Sequence, residues 1–148
     1  MESIAVKLTS SQFSKLNSLF NQSGKSADVG KRAVEIVKIY FMSKNPRCTF
    51  PVPPSGVDLV VQENRSRKKL EIKGTSELNI AWGKLGVSGC PSFDKLKKGM
   101  PLYRVTGVFE ETPQIYVLRF KKDFRMQKEP RWRIVQTTSN KQEPRTCA

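Results

Sequence analysis

The chain contains no histidine, and this absence prunes chemistry hard. Without an imidazole there is no Ser-His-Asp triad, no Cys-His pair, no HNH-type nuclease and no phosphodiesterase that grips its metal through histidine. Acid-base work then falls to carboxylates, lysine or metal-bound water. Cysteine is nearly as scarce. Cys48, Cys90 and Cys147 are far apart, odd in number and never in a C-x-x-C arrangement, so three free thiols are expected and a zinc site built from Cys and His is excluded. No apolar run approaches the ~18 residues of a spanning helix, so no membrane partner is expected. Met1-Glu2-Ser3-Ile4 has neither the basic nor the apolar region of a signal peptide, and a cytoplasmic, soluble protein is the expectation. Neither Gly-x-Gly-x-x-Gly nor the Walker pattern occurs, which argues against ATP-driven chemistry. No internal repeat is apparent. Acidic residues are few as well: 13 Asp and Glu stand against 27 Lys and Arg, a net charge of +14. A bias of that size implies an anionic partner.

What is present fits one domain with a sizeable core in a chain of 148 residues. That domain spans residues 1–136, and 137–148, which lack apolar periodicity, read as a disordered tail. Residues 1–8 alternate loosely and suggest a short strand. Thr9, Ser10 or Ser11 can cap a helix whose Phe13, Leu16, Leu19 and Phe20 recur on one face. A second helix starts at Ser26 or Asp28, carries Val29, Ala33, Ile36, Val37, Tyr40 and Phe41 on a broad face, and stops before Asn45-Pro46. Residues 47–52 suit an edge strand or a loop, because Pro51 cannot donate to a ladder and Pro53 and Pro54 follow it. Residues 102–109 and 114–120 are β-branched and aromatic and predict a hairpin; Trp132 to Val135 form a last strand. Between 74 and 100 the chain is irregular apart from a short capped helix over 92–99. Loops of that length in a compact domain are usually functional or disordered, and this one is read as function-bearing. Ser76, Asn79 and Trp82 are its candidates for contact with bases or sugar edges, Trp82 being equally a packing residue.

The most informative stretch is Gly56-Val57-Asp58-Leu59-Val60-Val61, a charged, turn-rich interval over 62–69, then Leu70-Glu71-Ile72-Lys73-Gly74. Two short apolar runs around such an interval predict a β-hairpin. Side chains alternate faces along a strand, so Glu71 and Lys73 point the same way, and a register that sets Asp58 beside Glu71 gathers two acids and one amine. Magnesium, or manganese in its place, takes oxygen ligands and needs only one or two carboxylates beside water and phosphate. Asp58 and Glu71 are the candidate metal ligands. Lys73 is placed to orient the attacking water or stabilise charge growing on phosphorus. Arg65, Arg67, Lys68 and Lys69, the densest basic run in the chain, form the predicted hairpin tip and suit a clamp on a phosphate backbone. Further basic residues surround Phe124 and Trp132. The bland alternative is an exposed hairpin with a solvated Glu/Lys pair.

Asp58 followed thirteen residues later by Glu71-x-Lys73 resembles the PD-(D/E)XK nuclease superfamily, which includes restriction endonucleases, archaeal Holliday junction resolvases and repair nucleases. One departure stands at the start of the motif, where Pro54 lies four residues before Asp58 instead of adjacent to it. Over about residues 24–120 the resemblance implies an α/β fold with a mixed central β-sheet flanked by helices and a restriction-endonuclease-like core of helix, three-stranded meander, helix and strand. It implies that Asp58 and Glu71 bind the metal and that Lys73 is the catalytic lysine. Glu35 is added as a supporting acid on the helix before the meander, although it lies about 150° from the centre of that helix's apolar face at about 100° per residue, where Lys31, Arg32 or Lys38 can pair with it. The implied activity is a metal-dependent endonuclease on double-stranded DNA, restriction-type ahead of junction resolution, working as a homodimer by analogy. The rival from another class is a non-catalytic nucleic-acid-binding module on the same scaffold.

Overall fold

The computed structural model describes residues 1–21, 25–87, 89–128 and 132–137; the C-terminal tail from 138 onward lies outside them. In chain order the elements are β1 (Glu2–Ala5), α1 (Ser10–Leu19), α2 (Ser26–Lys44), β2 (Leu59–Glu63), β3 (Ser66–Gly74), β4 (Gly86–Val87), α3 (Cys90–Lys97), β5 (Leu102–Thr106), β6 (Gln114–Leu118), β7 (Phe124–Lys128) and β8 (Trp132–Gln136). The fold is mixed α/β.

Helix α1 starts where its cap dictates. The Thr9 hydroxyl accepts from Gln12 N–H while the Gln12 side chain accepts from Thr9 N–H, a reciprocal capping box. Helix α2 carries Ala33, Ile36, Val37, Tyr40 and Phe41 as its buried stripe. That stripe lies on a five-stranded mixed sheet of order β1-β6-β5-β3-β2. All its pairings are antiparallel except β3 with β5, and α3 lies in the crossover that a parallel pair requires. Period two divides the sheet residues between two cores. Leu59, Val61, Leu70, Ile72, Tyr103 and Val105 meet α2. Val60, Leu102 and Leu118 face the other way, against Phe93 and Leu96 of α3 and Phe124, Met126 and Ile134 of a second, three-stranded sheet of order β4-β8-β7. At the end of β3 the two layers nearly touch: a Cβ on Gly74 would lie 2.7 Å from Ala33 Cβ and 2.9 Å from Val29 O. Glycine there brings α2 down onto the strand.

Three expectations are corrected. The hairpin interval is much tighter than a loop over 62–69. Glu63 pairs with Ser66, so only Asn64 and Arg65 turn, Asn64 at φ +50°, and Arg67, Lys68 and Lys69 belong to β3. Ladder hydrogen bonds use the backbone alone, so exposed charged side chains do not interrupt a strand. Second, Cys48 is free and buried but Cys90 is disulfide-bonded, with its partner outside the described residues. Cysteine spacing cannot exclude a bond between positions that only the fold brings together. Third, Arg32 is no surface partner for Glu35. Its guanidinium is fully buried, donating to Phe20 O at 3.0 Å and to Val108 O, and lies 5.0 Å from the Phe109 ring centroid. No helix among the described residues is long and apolar enough to cross a membrane.

Candidate functional site

Strand β3 is the spine of the site. Its odd-numbered residues share one face, so Arg67, Lys69, Glu71 and Lys73 follow one another along it. Leu59 pairs with Leu70, and Asp58 stands one residue before that pair, at the entry to β2. Two backbone contacts hold it there: Asp58 N–H donates to Leu70 O at 2.9 Å, and Ile72 N–H donates to Asp58 Oδ2 at 2.8 Å. Asp58 is near enough for its charge to act on the Glu71 carboxyl. Lys73 Nζ lies 3.5 Å from Glu71 Oε1.

The three groups differ in what they meet. The Glu71 side chain is 2% exposed and that of Lys73 27%. Burial first, and then the charge of Asp58, push the Glu71 carboxyl up to about 7, with Lys73 pulling the other way. Glu71 Oε2 is buried and no donor reaches it. A buried carboxylate oxygen without a donor, next to a second carboxylate, is costly, and a proton or a cation relieves it. The donor set fits a hard divalent ion, with Asp58 and Glu71 as the residues to hold it. Among the described residues no group of three or more Asp, Glu, His or Cys side chains gathers as a metal cage, so water and substrate would complete the coordination.

A cleft of about 490 Å³ opens at this point, with Asp58, Lys73 and Gly74 on one wall and Ser26, Ala27 and Gly30 from the first turns of α2 on the other. A Cβ on Gly30 would meet nothing within 4 Å, so packing does not require this helical glycine. Glu35 is elsewhere. It is not among the residues lining the cleft; its side chain is 40% exposed and pairs with Lys38 at 3.4 Å, as its angular position implies.

The other predicted contacts are scattered. Arg65 is at the exposed hairpin turn, and Arg67 Nε donates to Gln62 Oε1 across the ladder. Lys68 turns to the α2 side, its Nζ 5.6 Å from the Phe41 ring centroid. Ser76 and Asn79 are exposed, but Asn79 Oδ1 accepts from Ala81 N–H at 2.8 Å and so shapes its own turn. Trp82 packs against the second core.

Sequence reasoning missed Arg104, which pairs with Lys73 in the β3–β5 register. It is fully buried and donates to Ile80 O at 2.8 Å and Gly74 O at 3.1 Å, fixing the 75–81 loop beside Lys73. Burial pulls this guanidinium down to about 10, against the charge of Glu77. The available signal was an arginine inside the apolar run Leu102–Thr106.

No family model matches the chain, and no curated protein or solved structure is significantly similar to it.

Proposed function

We propose that the chain is a magnesium-dependent endonuclease of the PD-(D/E)XK type acting on double-stranded DNA. The observation that carries the reading is the grouping of Asp58, Glu71 and Lys73: Asp58 and Lys73 line the cleft, and the buried Glu71 carboxyl lies 3.5 Å from the Lys73 ammonium. The order of elements supports it. Helix α2 is followed by an antiparallel bridge from Thr49 to Gln62 that adds a third segment to β2 and β3, then by α3 and β5. Two strands and one isolated bridge thus stand where the nuclease core has a three-stranded meander, with a helix before them and a helix and strand after. The net charge of +14 supplies the attraction to a polyanion.

Magnesium held by Asp58 and Glu71 supplies charge neutralisation at the phosphate and a lowered pKa for water. The chain's own groups do the positioning. Ile72 N–H fixes one Asp58 oxygen. Lys73, steered by Glu71, presents an ammonium to the cleft that can donate to a phosphate oxygen or the attacking water. The first turns of α2 place the positive end of a helix dipole on the opposite wall. Restriction-type cutting is the narrower form of the reading, since the loop over 75–81 offers side chains for base contact beside Lys73.

The test incubates supercoiled plasmid, linear duplex and a four-way junction with magnesium or manganese. Nicks or double-strand cuts that disappear in chelator are expected. Tight binding to all three without cutting, in both metals and across pH, leaves a non-catalytic binding module.

Gly30 gives a second check. Gly30→Ala should raise stability by about 1 kcal/mol, the cost of glycine inside a helix. Gly30→Leu should fold as well as wild type yet cut at least roughly tenfold more slowly, because its side chain fills the space left for substrate. Thermal melts and cleavage rates measure both, and a Leu variant with wild-type cleavage would place the substrate away from α2.

A further inference from the structure

A second cleft, also of about 490 Å³, lies at the opposite end of β3 from the acids, and five cations line it: Arg67, Lys68, Lys69, Lys95 and Lys98. No acidic side chain lines it. Each of the four salt bridges in the described residues lies elsewhere, so Arg67, Lys69, Lys95 and Lys98 line the cleft without a counter-charge, while Lys68 sends its Nζ toward the Phe41 ring. Like charges this close destabilise a fold unless an anion offsets them. The last turn of α3 explains part of the pattern, since lysine is favoured at a helix C-terminus, but β3 has no such reason to place Arg67 and Lys69 opposite that turn.

We infer that this cleft is a second phosphate-binding subsite, which grips the nucleic-acid backbone to one side of the bond that is cut. Arg67 and Lys69 stand on the same face of β3 as Glu71 and Lys73. From Lys69 to Lys73 is roughly 13 Å at about 3.3 Å per residue, which spans about four base pairs of duplex at about 3.4 Å each. One strand thus aligns the grip with the acids. An anionic membrane is the poorer partner: surface helices that bind lipid carry apolar anchors beside their cations, and the exposed large apolar residues, Met1, Leu19, Met42, Val52 and Leu78, lie outside this cleft. The grip on phosphate stands alone, while its alignment with a cut bond rests on the nuclease reading.

The experiment measures binding of the full chain to a short mixed-sequence DNA duplex in chelator, over about 50 to 200 mM salt. The double variant Lys95→Glu, Lys98→Glu should lose roughly tenfold or more in affinity, and its log-log salt slope should flatten by about two. A control, Lys7→Gln with Lys15→Gln, removes exposed charge from the segment after β1 and from α1 and should bind within about twofold of wild type. Lys95→Gln with Lys98→Gln, a milder change on α3, guards against misfolding and should shift the slope in the same direction. Affinity and slope equal to wild type in both cleft variants overturn the inference, even if cleavage in magnesium is intact. A loss in the control equal to that of the glutamine pair, which removes the same two charges, also overturns it, since the effect is then net charge alone. So does wild-type protein that ignores duplex but binds phosphatidylserine vesicles through Lys95 and Lys98. Binding that falls as expected while wild type cuts nothing supports the subsite and sinks only the nuclease reading.

Discussion

Asp58→Ala should abolish magnesium-dependent cleavage, a loss of about a thousandfold or more, equivalent to ~4 kcal/mol of transition-state stabilisation. The same variant should bind duplex in chelator as tightly as wild type or more tightly, because an acid facing phosphates repels them when no cation intervenes. Both outcomes follow from the position of Asp58, which lines the cleft and is held by Ile72 N–H at 2.8 Å. Lys73→Ala should stop cleavage too, but with thermal protection by magnesium retained, since an ammonium offers no lone pair to a metal. Lys73 is also the charge that pulls the Glu71 carboxyl down, so this protection is to be measured well above pH 7. Glu35→Gln should cut almost as fast as wild type, since Glu35 pairs with Lys38 and does not line the cleft. An Asp58→Ala protein that retains magnesium-dependent cleavage would end the case for this site, and a Glu35→Gln protein as dead as Asp58→Ala would show that the cleft closes further in the complex.

The acids and the lysine were legible in the sequence because a strand's period is two, so Glu71 and Lys73 had to share a face once their segment was read as a strand. The apposition of Asp58 was legible only as a condition, since it depends on a register that Glu63 and Ser66 close with a two-residue turn. The basic run was read as a tip because charge and turn signals overlap in sequence; the ladder carries Arg67 to Lys69 regardless of their side chains. Lys95 and Lys98 come to line one cleft with Arg67 and Lys69 only through the α3 crossover, a juxtaposition of residues far apart in the chain that no local pattern encodes. Arg104 is illegible for a related reason. Its three hydrogen bonds are to the carbonyls of Gly74, Ile80 and Ala81, and a backbone carbonyl carries no sequence signature.

Glu71→Gln should make the metal-free protein more stable than wild type above neutral pH, and the gain should vanish in acid. The folded Glu71 carboxyl titrates at about 7 against 4.5 for a free side chain. Between those values the folded state holds a proton that the unfolded state has released, so wild-type stability falls as pH rises through the window. The sign is opposite to that of an acid held in a favourable ion pair, because here burial and Asp58 outweigh Lys73. The full penalty, about 3 kcal/mol at about 1.36 kcal/mol per unit, is present above pH 7 and absent below pH 4.5. Glutamine has no proton to lose there, so the difference between the two proteins should grow across the window and reach roughly 6–12 °C in Tm for a chain of this size. Magnesium should narrow the difference at alkaline pH by stabilising wild type alone, since it binds the folded carboxylate pair and the amide is a poorer ligand. Thermal melts of both proteins from pH 4 to 9, with chelator and with magnesium, measure this, and the pH slope is the readout because the amide can change the absolute level through its own hydrogen bonds. Parallel profiles for the two proteins in chelator would mean that Glu71 titrates as an ordinary carboxylate, and the site would then lack the unrelieved charge that gives it a use for a cation.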